Sequence, residues 1–220
     1  RAATRVHGRA DLLGEAGRLY RDPLDDGAKA SRIWERLEEY GRLPDEGLST
    51  LARAYQRAGQ HEDLVRILKV RFAALSDDPM RQAAVAIHIA HLLETALGRP
   101  HQAARYYLDA YLASPSVHQE SGTKAKVLLS GTDALTRVRT ELLDRLATVL
   151  EEHRPALLTL LGDLLCVHEE YEGEAEAHYR DALEQEPDSA TASEALGRLM
   201  ARQGRLAEAV PALVAAACHE

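Results

Sequence analysis

The sequence predicts an all-α chain of antiparallel helix pairs, and three observations predict it. First, apolar residues recur at spacings of three and four, the mark of a helix with one buried face, and no strand-like alternation persists anywhere. Second, 45% of the 220 residues are hydrophobic but only 5% are aromatic, so Ala and Leu carry the apolar content, which suits helices better than sheets. Third, one helix-turn-helix pattern is written twice between Pro155 and Ala216. Leu158, Leu161-Gly162 and Leu165 are followed by Ala175, Tyr179, Ala182 and Pro187; then Ser193, Leu196-Gly197 and Met200 are followed by Ala209, Leu213 and Ala216. Ala175 and Ala209 lie 34 residues apart.

Those letters have a packing reason. Gly162 with Ala175, and Gly197 with Ala209, let two antiparallel helices close to roughly 8 Å between axes, while Tyr179 and Leu213 fill the remaining space. Gly204 ends a first helix in the left-handed conformation, and Pro187 ends a second one by pushing its predecessor out of the helical region. Each pair then leaves an apolar face that only a neighbouring pair can cover. A Leu-Gly pair on one helix, with Ala-x-x-x-aromatic-x-x-Ala on the next at this period, resembles the tetratricopeptide repeat. The resemblance implies a right-handed α-α superhelical solenoid of about six TPR-like pairs, at 4–41, 44–77, 79–115, 117–153, 155–187 and 189–219. It also implies a single solenoid over residues 1–220 and protein binding rather than catalysis.

From the start of the chain, Leu13, Ala16-Gly17 and Tyr20 fit the first-helix pattern, and Ala30, Trp34 and Leu37 the second, with Trp34 expected in the core. The turns at Arg21–Gly27 and His168–Gly173 are longer by one residue than the last one. In the second unit Leu48, Leu51-Ala52, Tyr55 and Gly59 precede Leu64, Leu68 and Phe72, so Leu64 stands for the packing alanine. The third has Ile87 and Ala90, a turn at Gly98-Arg99-Pro100, then Ala103, Tyr107, Ala110 and Pro115. His91 takes the place of its glycine and is expected as a hydrogen-bonded core histidine, and Glu94 stands where an aromatic is usual. The fourth unit is the weakest match, with Val127-Leu128-Leu129, a break at Gly131, a Thr132 or Asp133 cap, and the stripe Leu135, Val138, Leu142, Leu146, Val149 and Leu150. With Val138 at the alanine position, successive units fall 34, 39, 35, 37 and 34 residues apart.

In the resembled family the first helices line the binding face. Here that face would carry Arg18, Arg21, Arg53, Arg57, His88, Thr159, Asp163, Cys166, Arg198 and Arg202, a basic beginning. The positions at which chaperone-tail binders of the family grip a terminal carboxylate hold Gly14, Ser49, His88, Thr159 and Glu194, which argues against that specialised role. Residues 1–150 carry 22 basic and 20 acidic side chains, whereas 151–220 carry 5 and 15. Glu169, Glu170, Glu172, Glu174 and Glu176 form an acidic patch with only Arg180 to offset them, unsuited to a phosphate backbone and better matched by a basic protein surface.

Other function classes find no support. His88-x-x-His91-x-x-Glu94 is the only metal-like spacing, and it lacks ligands from a second element and the His-Glu-x-x-His order that sets a base beside a zinc ion. No Gly-rich phosphate loop, nucleophile elbow or paired-cysteine cluster occurs, so no catalytic residue, cofactor or metal is expected. Cys166 and Cys218 are too few for a disulfide framework. No apolar run reaches the ~20 residues of a membrane span, and a cytoplasmic setting without membrane insertion or nucleic acid is expected. The excess of arginine over lysine hints at a GC-rich bacterial genome, and with Arg1 in place of Met the true amino terminus is expected upstream. The expected function is a non-catalytic scaffold or adaptor for a protein partner, part of a larger bacterial protein. The alternative is a regulatory or substrate-recruiting arm of a kinase or glycosyltransferase lying outside this stretch. Leu206, Val210, Leu213, Val214 and Ala217 give the last helix an apolar face, so the array is expected to be cut from a longer one, the face either pairing with a second copy or staying open and fraying, and Pro211 is expected to bend this pair.

Overall fold

A computed structural model describes the backbone of residues 2–21, 27–38, 43–130 and 135–218, and the side chains of 11–20, 29–38, 43–130 and 138–218. Twelve α-helices and no strand occur among the described residues. They are α1 (Ala2–Arg21), α2 (Gly27–Glu38), α3 (Asp45–Ala58), α4 (His61–Ala74), α5 (Pro79–Thr95), α6 (Pro100–Ala113), α7 (Gln119–Ser130), α8 (Leu135–Leu146), α9 (Arg154–Leu165), α10 (Glu172–Gln185), α11 (Ala190–Arg202) and α12 (Leu206–Cys218). The helices fall into two compact units, residues 1–99 with α1 to α5 and residues 100–220 with α6 to α12.

Local chemistry explains the boundaries. The Asp78 carboxylate accepts the Arg81 N–H at 3.1 Å and Pro79 opens α5, a side-chain cap joined to a residue whose missing donor costs nothing there. Gly204 follows α11 at φ 77°, where a side chain would be strained. The longer turn after α9 is taken up by a single 3-10 turn at Glu169–Tyr171. The expected break at Gly131, its Thr132 or Asp133 cap and residues 22–26 of the first turn lie outside the described residues. Pro211 stands inside α12, which runs on to Cys218 without interruption.

Within the unit of residues 1–99, the core forms around Trp34. Its ring is fully buried between α1 and α3, and a Cβ added at Gly17 or Gly47 would come within 2.6 Å or 2.9 Å of it. The indole N–H finds no acceptor among the described residues. Leu51, Leu64 and Ile67 complete this core, and α5 buries Ala83, Ala86, Ile89, Ala90 and Leu93. His91 is exposed, which corrects its reading as a core histidine: Ala90 rather than its neighbour lies on the contact face, and a one-residue step turns a helical side chain by about 100°.

Within the unit of residues 100–220, the same device recurs. A Cβ at Gly122 would meet the Tyr111 ring at 2.7 Å, at Gly162 the Tyr179 ring at 2.6 Å, and at Gly197 the Leu213 side chain at 2.8 Å. Ala103, Ala175, Ala182 and Ala209 are buried, and Val138 takes the equivalent place on α8.

A second set of contacts joins successive second helices through charge. Arg66 on α4 pairs with Glu38 on α2, and Arg99 reaches back to Glu62 on α4. In the other unit Arg105 and Asp109 on α6 pair with Glu141 and Arg145 on α8, Arg139 pairs with Glu174 on α10, and Glu176 pairs with Arg205 just before α12. The Asp109–Arg145 and Arg139–Glu174 pairs are about two-thirds or more covered, so they are screened less than ordinary surface pairs, whose worth is ~0–1 kcal/mol.

The glycine contacts give a sharp expectation. Gly162→Ala must displace the Tyr179 ring and costs about 1–3 kcal/mol, as overpacking does. Gly173→Ala, in α10 with nothing near its added methyl, is stabilising by up to about 1 kcal/mol through helix propensity. Urea denaturation with unchanged slope for both variants measures the contrast.

Candidate functional site

The first helices α7, α9 and α11 of the second unit border one groove of about 520 Å³. Its lining includes Lys126, Val127 and Ser130 from α7, Thr159 and Asp163 from α9, and Thr191, Glu194 and Arg198 from α11. A smaller recess of about 230 Å³ shares Lys126, Thr159, Asp163 and Thr191 and extends toward Tyr111, Gln119 and Thr123. The positions are regular. Taking Gly122, Gly162 and Gly197 as origins, the groove draws on Gln119, Thr159 and Glu194 three residues before, and on Thr123, Asp163 and Arg198 one after. One helix face recurs because the glycine face beside it is fixed against the second helix.

Asp163 is the organising group. One carboxylate oxygen accepts the Tyr179 hydroxyl at 2.9 Å and the other accepts Lys126 Nζ at 2.8 Å, tying α7, α9 and α10 together. Burial and then the Asp163 charge push the Tyr179 phenol far above its usual pKa, so it stays a donor. Burial and Asp163 likewise push Tyr111 up to about 12. Lys126 keeps donors beyond the one it gives Asp163, and it is 40% exposed. Val127 and Val167, each 62% exposed, bring apolar surface to the same groove.

The sequence-expected residues divide sharply. Thr159 is buried and donates its hydroxyl to the Pro155 carbonyl at 2.9 Å, so it shapes the floor. Arg202 donates to the Cys166 carbonyl at 2.5 Å and pairs with Glu172 at 2.8 Å; it neutralises the carbonyl end of α9. Arg198 is three-quarters exposed and paired only with Glu194, one turn back on its own helix. Cys166 is half-buried, its thiol directed to the Asp163 carbonyl at 3.3 Å. In the other unit Arg18 stands 4.0 Å from Glu46, Arg53 donates to the Ser49 carbonyl, and Arg57 is exposed. His88 is half-buried, and burial with the neighbouring His91 lowers its pKa. The Arg21 side chain lies outside the described residues. Lys126 and Val127 were missed by sequence because α7 matched the repeat poorly, and the small pair Ser121-Gly122 was the signal that would have set its register; Thr191 was missed although α11, which carries it, matched the repeat well.

The acidic patch needs correction. Arg180 is far from alone: Glu172 receives Arg202 and Gln203, Glu174 receives Arg139, and Glu176 receives both Arg180 and Arg205. Only Glu169 and Glu170 of the five are exposed, the other three being half-buried. The neutralising arginines come from other repeats, at distances along the chain that local charge counting does not see. Three or more potential metal ligands cluster nowhere among the described residues, and none of the described helices is long and apolar enough to cross a membrane.

The Arg139 hydrogen bond holds the Glu174 carboxyl below its usual value of 4.5. A carboxyl depressed in the folded state adds stability that is complete above its unfolded pKa and disappears as pH falls through the folded one. Unfolding midpoints in urea are therefore expected to decline below about pH 4.5, and Arg139→Gln to flatten that decline. An Arg139→Gln profile that parallels the parent would place the acid sensitivity elsewhere.

No family model and no curated protein matches the chain. Among solved structures it is similar to the TPR2AB-domain:pHSP90 complex of yeast Sti1, at 14% identity over 97% of this chain and 91% of that one, with a TM-score of 0.34.

Proposed function

We propose that the chain is a non-catalytic scaffold that binds a protein partner in the groove of α7, α9 and α11. The supporting observation is the make-up of that groove: a long open surface with exposed valines, hydroxyls and the under-used donors of Lys126 and Arg198. Such a mixture holds an extended segment by polar contacts while one or two apolar side chains seat beside Val127 and Val167. The inward-facing polar groups are committed to one another, as Asp163 is to Tyr179 and Lys126, which suits a preformed binding wall better than a reacting centre. A bacterial, cytoplasmic setting within a larger polypeptide belongs to the same reading, supported by the arginine bias and two free thiols.

Val127→Asp with Val167→Asp tests the groove, since both side chains are exposed and their replacement leaves packing intact. Proteins captured from a lysate by the parent are expected to be lost at least about tenfold with this double variant. Arg53→Ser with Arg57→Ser is expected to retain them. The reverse pattern would move the binding surface to the first-helix face of residues 1–99.

A further inference from the structure

The smaller recess beside the groove is balanced in charge. Its charged lining residues are one cation and one anion, Lys126 and Asp163, and they lie 2.8 Å apart. A carboxylate entering the recess would gain Lys126 but meet Asp163, and an ammonium group would gain Asp163 but meet Lys126. Either ion would be stripped of water without a full electrostatic return. The recess measures about 230 Å³, below the ~300–1,000 Å³ of pockets that enclose whole small molecules, and it shares Thr159 and Thr191 as well as the ion pair with the larger groove. Its size suits one side chain of a segment lying in that groove.

What the recess keeps in reserve is neutral hydrogen-bonding capacity. Lys126 spends one of its donors on Asp163. Asp163 accepts one bond on each oxygen, from Tyr179 and Lys126, out of about four lone-pair sites. The Tyr111 hydroxyl makes no hydrogen bond among the described residues, and burial with the Asp163 charge keeps it protonated as a donor. Unspent donors and an unspent acceptor therefore line the same small recess.

We propose that this recess selects a carboxamide side chain, glutamine or asparagine, from an extended segment of a protein partner. The inference rests on the groove of α7, α9 and α11 being the binding surface. A primary carboxamide has a carbonyl that accepts from Lys126 or Tyr111 and an NH2 group that donates to Asp163, and it brings no net charge. Ionised glutamate lacks the donor and lysine lacks the acceptor, so each leaves a recess group unpaired. Alanine in the same place leaves all of them unpaired.

Selection of a randomised display library of short peptides on the whole chain tests this, followed by Kd measurements on synthetic copies of the binders. Glutamine or asparagine is expected at one fixed position, and its replacement by Glu, Lys or Ala should weaken binding at least about tenfold. Tyr111→Phe keeps the ring beside Gly122 and should cost the glutamine peptide about three- to tenfold while leaving the alanine peptide unchanged. Two further variants should switch the preference. Lys126→Met leaves Asp163 without its cation and should favour Lys at that position, and Asp163→Asn should favour Glu. A merely structural role for the pair would weaken every peptide alike, which would overturn the proposal. So would groove-bound peptides, lost in Val127→Asp with Val167→Asp, that show no carboxamide preference, or captured proteins lost in that variant with no peptide binder at all; in both cases the groove itself stands. Peptides and captured proteins that are all indifferent to the valine variant would remove the groove and this proposal together.

Discussion

The absence of a Cβ at a few first-helix positions governs how both units are built. Gly17 and Gly47 both receive the Trp34 ring, Gly122 receives Tyr111, Gly162 receives Tyr179, and Gly197 receives Leu213. Each large side chain is set where a methyl would have stood, so helix separation and rotation are fixed together. Rotation is the more consequential result. Once the glycine face of α9 is committed to Tyr179, the face bearing Thr159 and Asp163 must border the groove.

Polar chemistry follows from that rotation. Tyr179 lies over Gly162, and its hydroxyl emerges beside the next residue, Asp163. The same ring thus packs the pair with its body and orients a groove carboxylate with its tip. In the unit of residues 1–99 Tyr55 repeats the division of labour, its ring buried and its hydroxyl donating to Glu35; burial and that carboxylate push its pKa up to about 12. Aromatic residues are few in this chain, and Tyr55 and Tyr179 serve packing and polar alignment at once.

Helix pairing was legible in the sequence wherever glycine, alanine and an aromatic stood at the repeat spacing, because those residues are the contact itself. The reading faltered where the contact was made by other means. On α5, Ala90 does the packing that spacing assigned to His91, and nothing local distinguishes two adjacent small or polar residues when one is alanine. On α7 the glycine is present, but its partner Tyr111 belongs to the preceding helix, the reverse of the order at Gly162 and Gly197. The acidic turn misled for a related reason: its counter-charges Arg139, Arg202 and Arg205 lie 29 to 35 residues away. Net charge along a segment says little when repeats fold those distances into contact.

Arginine has two occupations in this protein, and helix position separates them. On second helices Arg66, Arg105, Arg139 and Arg145 bridge to the neighbouring second helix, where a long planar fork can span the gap and hold a carboxylate from a fixed direction. On first helices Arg53, Arg57 and Arg198 make no bond to another helix among the described residues, and their charge stays directed to solvent. Arg18 on α1, 4.0 Å from Glu46 on α3, and Arg71 on α4, paired with Asp45 on α3, depart from this division, as does Arg202, which sits at the last position of α11 where the end of α9 and the start of α10 come within reach. A basic first-helix face is therefore distinct in kind from an equally basic second-helix face. The former leaves its charge open to solvent, and the latter has already used it to join one repeat to the next.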